Sequence, residues 1–394
     1  MAIEASRERI AGPLKLGMVG GGRGAFIGAV HRMAARLDHS FELVAGCLSS
    51  DPERARVSGE DLGLAADRIY SSYETMAHAE AARADGIDAV AIVTPNHMHA
   101  PVATAFLAAG IHVICDKPLT ATLAAAQDLA ATVKASGKIF VLTHNYAGYP
   151  MIRQAREMIA AGAIGAIRVV QAEYPQGWLA TPLEATGAKQ AVWRTDPAQS
   201  GEGGCVGDIG THAFHLASFV TGLELDELAA DLTTFVDGRR VDDNVHVLLR
   251  FKGGAKGMLF ASQVAIGPEN GLKLRIFGET GGLEWAQEDP NYLWHTPIGE
   301  PKRLLTRGGA GATPMGTRVT RIPSGHPEGY LEGFATIYQE AARAIRAAQT
   351  GEPVPPDVIY PGIDDGVTGV AFVAAAIASS RANGAWTRLD RSRR

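Results

Sequence analysis

The chain has 394 residues and a net charge of −5, with 46% hydrophobic and 20% charged residues. This length predicts two domains of a soluble globular protein, and the scattered Lys and Arg exclude the basic surface that nucleic acid or an anionic membrane requires. Three widely separated cysteines, Cys47, Cys115 and Cys205, indicate a reducing compartment rather than a disulfide framework.

The ends of the chain carry no predicted targeting or membrane segment. Residues 1–13 contain Glu4, Arg7, Glu8 and Arg9 and no apolar stretch, so no secretory signal is predicted. The uncharged run 366–380 is too short and too rich in Gly and Ala to span a bilayer. The sequence therefore predicts a cytoplasmic protein.

A glycine-rich turn near the start carries the clearest functional signal. Leu16, Met18 and Val19 read as a short buried strand, and residues 26–37 repeat apolar side chains at helical spacing. Between them stands Gly20-x-Gly22-x-x-Ala25, which is typical of a dinucleotide-binding turn. Glycines there let a pyrophosphate approach, a small third residue lets helix and strand pack, and free helix N–H groups face the anion. The predicted cofactor residues of this turn are Gly20, Gly22, Arg23, Gly24, Ala25 and Phe26; the alternative is a flexible loop without a ligand.

The end of the second predicted strand, residues 41–48, bears on the choice between NAD and NADP. Ser49 stands where an acid that binds the adenosine ribose 2′-hydroxyl is expected. Ser49, Ser50 and Arg54 suit a 2′-phosphate, whereas Asp51 lies close enough to repel one. The predicted cofactor is therefore NAD or NADP, with the choice open. Asp51 before Pro52 also predicts a helix N-cap.

Three more predicted strands, residues 88–93, 111–115 and 139–143, alternate with helices, which indicates a doubly wound parallel sheet of the Rossmann type. Ligands of such sheets bind beyond the carboxyl ends of the strands. The polar residues that follow the strands are therefore further cofactor candidates, although the 94–99 loop could instead only end a strand and cap a helix. These candidates are Thr94, Asn96, His99, Asp116 and Lys117.

The pattern changes after about Tyr149. A helix is predicted over residues 151–161, a strand over 167–174, a long polar loop over 175–207 and a helix over 208–221. A run of strands separated by Gly-rich turns then predicts a mostly antiparallel, open-faced sheet. The predicted domains are 1–146 and 147–394. The remaining predicted elements are strands 228–236, 245–251, 255–261, 272–277 and 282–285, an irregular segment 297–317, and helices 328–349 and 362–382.

Four motifs occur in an order that resembles the Gfo/Idh/MocA oxidoreductases over nearly the whole chain. The strand end at residues 48–53 and the helix at 210–215 also resemble the branch with levoglucosan dehydrogenase-like enzymes. The resemblance implies a nicotinamide cofactor, hydride transfer at a ring carbon of a sugar, anhydrosugar or cyclitol, and a homodimer or homotetramer. The motifs are the Gly-rich turn, Thr94-Pro95-Asn96-His97-Met98-His99, Asp116-Lys117-Pro118 and Gly203-Gly204-Cys205-Val206-Gly207-Asp208-Ile209-Gly210-Thr211-His212.

By this resemblance the family's lysine maps onto Lys117, and its aspartate and histidine map onto Asp208 and His212. Oxidising a secondary alcohol requires a base for the hydroxyl proton and stabilisation of the charge on oxygen. His212 suits the base, Asp208 lies one helical turn earlier, and Lys117 suits the reacting oxygen. The alternative is that Asp208 only caps a helix and His212 is a core histidine. His215 departs from the family's usual Asp, which we expect to affect substrate contacts or helix packing.

Aromatic residues and one arginine are the substrate candidates beside the catalytic three: Tyr146, Tyr149, Trp193 and Arg194. The alternative for each is ordinary packing. The pairs His97/His99 and His212/His215 come with no Cys or carboxylate cluster, so no metal is predicted. Two other functions stay open: a redox-neutral, NAD-dependent glycosidase, which also carries Gly-Gly-Arg-Gly as in residues 21–24, and a non-catalytic nucleotide or sugar sensor.

Overall fold

The computed structural model describes residues 12–390 of the chain. The prediction made for residues 1–13 therefore lies outside the described residues, except for Gly12 and Pro13.

A five-stranded parallel sheet forms first, in the strand order β2-β1-β3-β4-β5, and confirms the predicted doubly wound fold. Strand β3 is buried along its whole length, as expected of a strand covered on both faces. The chain runs outward from β1 in both directions, so the carboxyl ends of β1 and β3 lie side by side at the switch point where ligands bind. The elements are β1 (Leu14–Gly20), α1 (Phe26–Leu37), β2 (Phe41–Cys47), α2 (Pro52–Asp61), α3 (Tyr73–Ala82), β3 (Ala89–Val93), α4 (His99–Ala108), β4 (His112–Cys115), α5 (Leu123–Ser136) and β5 (Phe140–Leu142).

A nine-stranded sheet follows, in the order β13-β12-β11-β10-β6-β9-β8-β7-β14. The β6–β9 pairing is parallel and the other described pairings are antiparallel, which confirms the predicted sheet type. The elements are α6 (Pro150–Ala160), β6 (Ile167–Pro175), α7 (Lys189–Arg194), α8 (Pro197–Ser200), α9 (Thr211–Thr221), β7 (Leu225–Thr233), β8 (Asn244–Phe251), β9 (Lys256–Ser262), β10 (Lys273–Gly278), β11 (Gly281–Ala286), β12 (Tyr292–Pro297), β13 (Arg303–Thr306), α10 (Pro314–Arg318), α11 (Tyr330–Thr350), α12 (Ile363–Arg381) and β14 (Thr387–Arg388).

Two segments are more regular than the sequence predicts. Residues 297–317 contain β13 and α10 and follow the unpredicted strand β12. The predicted loop 175–207 contains the short helices α7 and α8. Strands β12 and β13 are short and lie near the sheet edge, and most of their side chains are not buried. They therefore lack the apolar run that identifies a central strand.

The two faces of the second sheet differ. Helices α6, α9 and α12 pack on one face and bury a continuous apolar core with it. The opposite face, called the outer face here, exposes more than a third of each of several large apolar side chains. These are Val169, Leu248, Met258, Phe277, Tyr292, Trp294 and Leu304.

The last two long helices return to the first sheet. Phe334, Ile337 and Tyr338 of α11 are buried with Leu16 and Val30 on one face of that sheet. Val367 and Val370 of α12 are buried with α4 and α5 on the other. The predicted boundary between residues 146 and 147 stays a prediction.

Helix α12 contains the uncharged run 366–380 and is longer than that run. It is 19 residues long and, by length and composition alone, apolar enough to cross a membrane. However, 56% of its apolar window is buried inside the protein. Phe372 stacks on Phe214 of α9 with ring centroids 4.3 Å apart, as in a core helix. Its apolar side chains therefore have protein neighbours. Residues 363–365 and Arg381 extend the helix beyond the uncharged run.

Candidate active site

A cleft of about 1170 Å³ runs from the carboxyl ends of β1, β2 and β3 to the start of α9. The predicted cofactor, catalytic and substrate residues line it, with three exceptions: Gly24, His99 and Tyr149. The cleft thus brings residues from distant parts of the chain together at the ligand-binding edge of the first sheet.

The three exceptions lie next to the cleft. Gly24 borders an adjoining cavity of about 440 Å³. His99 is buried, with Nδ1 2.8 Å from the Pro118 carbonyl oxygen and Nε2 2.9 Å from the Thr94 carbonyl oxygen, so it ties two cleft loops together. Tyr149 is 1% exposed and packs edge-on against Trp285.

The glycine-rich turn is packed tightly against the protein itself. Gly20 has a φ of +81°, which favours glycine. A Cβ on Gly22 would lie 2.6 Å from the Leu48 carbonyl oxygen. Helix α1 approaches the turn most closely at Gly28, where a Cβ would lie 2.4 Å from the Gly21 Cα. The sequence did not identify Gly28 as a residue of this contact. Its position inside a regular helical repeat concealed this role.

The cleft fits a nicotinamide dinucleotide at both ends. At the turn, α1 begins at Phe26 with no side-chain cap, so its first backbone N–H groups are available to a phosphate. Deeper in the cleft, the buried atoms Nδ2 of Asn145 and Oγ1 of Thr94 have no hydrogen-bond partner. Buried polar groups are normally paired, so these two indicate a polar ligand such as a ribose or carboxamide.

We expect Gly28→Ala to raise the Kd for NADH about tenfold, since overpacking a close contact costs about 1–3 kcal/mol. The added methyl would push α1 away from the turn. Gly369→Ala in α12 is the matched control, because no heavy atom lies within 4 Å of the position that its Cβ would occupy. Fluorescence titration with NADH compares the two variants; equal affinities would show that this contact does not hold the turn.

The ribose end of the cleft combines hydroxyl groups with charges of both signs. Ser49, Ser50 and Arg54 line it. The carboxylate of Asp51 accepts the Arg54 backbone N–H at 2.7 Å, which confirms the predicted N-cap of α2. Glu74, at the start of the unpredicted helix α3, also lines this end. A carboxylate suits the 2′-hydroxyl of NAD and Arg54 suits the 2′-phosphate of NADP, so both cofactors find a partner here.

Lys117 and Asp208 form an ion pair in the cleft. The Lys117 ammonium lies 2.9 Å from Asp208 Oδ1 and donates to the Asp208 carbonyl oxygen at 2.6 Å. The other carboxylate oxygen, Oδ2, accepts from Gln263 at 2.8 Å. Burial alone would raise the pKa of Asp208, but Lys117 and Arg194 hold that pKa well below its usual range. Asp208 therefore stays ionised and fixes the ammonium group in place.

A π-helical turn, residues Val206–Gly210, presents Asp208 to Lys117 and leads directly into α9. Such turns often occur at functional sites. The buried carboxylate of Asp242 accepts the backbone N–H groups of Gly204 at 2.7 Å and Val206 at 2.8 Å. Asp208 is thus part of the turn rather than a cap on a regular helix, and the predicted helix over residues 208–221 is divided at Thr211.

His212 lies one turn after Asp208 and lines the same cleft. Burial, reinforced by the charge of Lys117, lowers its pKa well below the ordinary value. The imidazole is therefore neutral at pH 7 and able to accept a proton. A cation and a neutral base that line one cleft are the groups that oxidation of an alcohol requires.

A polar wall that the sequence analysis mostly missed also lines the cleft. The hydroxyls of Tyr146 and Tyr174 lie 2.5 Å apart, and Tyr174 donates to Asn270 Oδ1 at 2.7 Å. Gln176 donates to the same oxygen at 2.7 Å. Tyr174 and Gln176 lie at the end of β6 and Asn270 lies in a loop, so no local pattern distinguishes them from ordinary polar residues.

Arg194 and Trp193 lie at the cleft but engage other protein groups. The Arg194 Nε is 3.3 Å from Asp208 Oδ2, and its guanidinium lies 4.2 Å from the centroid of the Trp193 ring. Asn96 donates its side-chain N–H to the Ser200 carbonyl oxygen at 2.9 Å. Within residues 12–390, no group of three or more His, Cys, Asp or Glu side chains is arranged to hold a metal ion.

Two family models match the chain: residues 14–146 match the oxidoreductase family with an NAD-binding Rossmann fold, and residues 152–284 match the GFO/IDH/MocA C-terminal domain. An oxidoreductase structure from Sinorhizobium meliloti is 60% identical, with a TM-score of 0.88 over 95% of this chain and 99% of that one. An inositol dehydrogenase homologue from Azotobacter vinelandii, solved with NADH and myo-inositol, is 38% identical, with a TM-score of 0.91 over 97% and 99%. Levoglucosan dehydrogenase from Pseudarthrobacter phenanthrenivorans is 29% identical over 95% of this chain and 97% of its own length.

Proposed function

The chain belongs to the Gfo/Idh/MocA family of oxidoreductases, and from this premise we propose that it oxidises a ring secondary alcohol of a cyclitol or sugar. It is an enzyme of a nicotinamide-dependent family, as predicted, with an NAD-binding Rossmann domain. The observation that carries the proposal is that Lys117, Asp208 and His212 line the same cleft as the glycine-rich turn.

In this proposal the catalytic roles follow from charge and protonation. Neutral His212 accepts the hydroxyl proton of the substrate. Lys117, held by Asp208, donates a hydrogen bond to the same oxygen and stabilises its developing negative charge. The cofactor, when bound, accepts the hydride. The glycine turn, the α1 N-terminus and Asn145 would hold that cofactor.

The polar wall supports a ring with several hydroxyls as the substrate. Phenol and amide groups of Tyr146, Tyr174, Gln176 and Asn270 offer both donors and acceptors, which suits a polyol rather than an apolar alcohol. The Azotobacter vinelandii homologue was solved with myo-inositol and shares 38% of its residues with this chain. A cyclitol is therefore the first substrate class to test, followed by levoglucosan and other sugars.

The test is an absorbance assay for reduced nicotinamide with the purified protein, NAD or NADP, and a panel of inositols, anhydrosugars and sugars. We expect one reduced cofactor per oxidised ring, with the inositols giving the highest kcat/KM. A redox-neutral glycosidase would instead release a sugar without net reduction. No reduction across the panel by protein that binds NADH would refute the proposed dehydrogenase.

We also propose that the outer face of the second sheet joins copies of this chain. Exposed apolar side chains lie there in cross-strand pairs, such as Leu248 with Met258 and Trp294 with Leu304, and clustered exposed apolar groups mark an interaction surface. A homodimer or homotetramer would cover it. Analytical ultracentrifugation should give a multiple of the 41.4 kDa chain mass, and Met258→Lys should lower that multiple. A monomer at micromolar concentration would contradict this proposal.

The three cysteines are free and buried, which supports the predicted reducing, cytoplasmic location.

A further inference from the structure

Two buried histidines next to His212 have no role in the chemistry described above. His144 follows β5 and His215 lies one turn after His212 on α9. The Nδ1 atoms of His144 and His212 are 3.5 Å apart. The rings of His144 and His215 lie parallel, with centroids 4.0 Å apart and planes 5° apart. Neither His144 nor His215 lines the cleft.

The facing Nδ1 atoms restrict where the protons can be. A neutral imidazole carries one N–H and one lone pair, so two facing nitrogens attract each other only if one donates and the other accepts. His212 presents Nδ1 to His144, which leaves Nε2 for a ligand in the cleft. A base needs a lone pair on the nitrogen that faces its substrate. His212 is therefore competent when its proton is on Nδ1 and His144 accepts that proton's hydrogen bond.

Burial keeps the histidine cluster neutral. Burial lowers the pKa of His144 and His212 well below the ordinary value, and burial lowers the pKa of His215 to about 4. At the outer end of the stack, the buried Nε2 of His215 lies 3.7 Å from Oδ1 of Asp365, whose side chain is partly exposed. The titratable or charged groups that face the three histidines are Lys117, Asp208, Tyr146, Tyr174, Arg156 and Asp365.

We propose that His144 is a positioning residue that accepts the Nδ1 proton of His212 and so keeps the Nε2 lone pair directed to the cleft. His215 holds the His144 ring in place by stacking on it. The Nε2 atom of His215 has no hydrogen-bond partner. The kinetic consequences of this proposal rest on the proposed function. The positions of the protons on the histidines can be measured without any reaction.

The proton balance is simple. The substrate hydroxyl gives its proton to Nε2 of His212, and its carbon loses a hydride to the bound cofactor, which leaves a ketone. The resulting imidazolium keeps its Nδ1–H on the lone pair of His144, and this hydrogen bond strengthens because its donor is now charged. The proton on Nε2 leaves to solvent after the product departs.

The direct test is the ¹⁵N spectrum of histidine-labelled protein without cofactor or substrate, assigned with His212→Gln. Ring nitrogens with and without a proton have distinct shifts. We expect wild-type His212 to carry its proton on Nδ1. In His144→Phe, which keeps a ring on His215 but removes the acceptor, we expect a shift towards the Nε2–H form. His215→Phe is the matched control, because it keeps the stacking surface and should leave His212 protonated on Nδ1.

Kinetics supply a second readout. His144→Phe should lower kcat at least about tenfold with KM within twofold, because general-base catalysis weakens while substrate contacts remain. Without its acceptor the His212 imidazolium is less stable, so the acid limb of the kcat/KM profile should move to lower pH. A role in folding alone would lower the amount of active protein without moving this limb.

The outcomes separate the two proposals. Wild-type His212 protonated on Nε2, or a His144→Phe variant with unchanged protonation and pH profile, would overturn the role of His144 even if the enzyme is active. Absence of any NAD(P)H formation would overturn the proposed function without affecting the spectrum. The wild-type spectrum decides the point even if His144→Phe does not fold.

Discussion

Lys117→Met is expected to lower kcat by about 10³-fold, because the proposed reaction loses the cation that stabilises the reacting oxygen. Methionine is similar in length and leaves Asp208 with two partners, Gln263 and Arg194, so the carboxylate is not left unpaired. The Kd for NADH, measured by fluorescence titration, should change little. This combination of lost turnover and retained cofactor binding would place Lys117 at the chemical step.

Lys134→Met, on the exposed side of α5, is the control and should keep the wild-type kcat. The role of Lys117 would be refuted by a Lys117→Met enzyme that binds NADH and keeps more than about a tenth of the wild-type kcat. A variant that loses NADH binding as well would instead indicate a disturbed cleft, and its thermal unfolding would show the damage.

Arg153→Met is expected to reduce the free energy of unfolding by about 2–4 kcal/mol, because three hydrogen bonds of a buried guanidinium are lost while Glu340 keeps Arg318 as a partner. Arg153 is fully buried and donates to Glu340 at 2.7 Å and to the carbonyl oxygens of Ala147 and Ile359 at 2.9 and 2.7 Å. Burial lowers its pKa to about 10, so the guanidinium is still charged at pH 7. Its loss removes the hydrogen bonds that both carbonyl oxygens accept from it.

Urea unfolding followed by circular dichroism measures this change. The matched control is Arg168→Met, because Arg168 is mostly exposed and lies 3.8 Å from Glu279, so its loss should change stability by no more than about 0.5 kcal/mol. Equal stability of both variants would show that Arg153 contributes no more than a surface arginine.

The architecture is largely predictable from the sequence because it rests on local patterns. Buried apolar runs such as β3 and the glycine turn identify the first sheet, and polar residues after each strand identify the edge at which ligands bind. The limits of α1, Phe26 and Leu37, agree with the predicted ones because the apolar repeat begins and ends there. These signals depend on neighbours in the chain.

Other features depend on contacts between distant residues and leave no local trace. Gly28 is an ordinary helical residue until the turn at Gly21 packs against it. His144 precedes the predicted Tyr146 by two positions, yet only its contact with His212 distinguishes it. Asn270 lies in a loop with no predicted structure and reaches Tyr174 across 96 residues. Three-dimensional packing, rather than spacing, brings these groups to the cleft.

The return of α11 and α12 to the first sheet has a consequence for synthesis on the ribosome. Leu16 and Val30 emerge early, but Phe334 and Tyr338, which cover them, are made only after more than 300 further residues. Until then that side of the nascent sheet is apolar and open to water, a surface that chaperones recognise. The cofactor-binding domain is therefore synthesised first but completed last. A chain truncated before residue 330 would contain that domain without the helix that covers one of its faces.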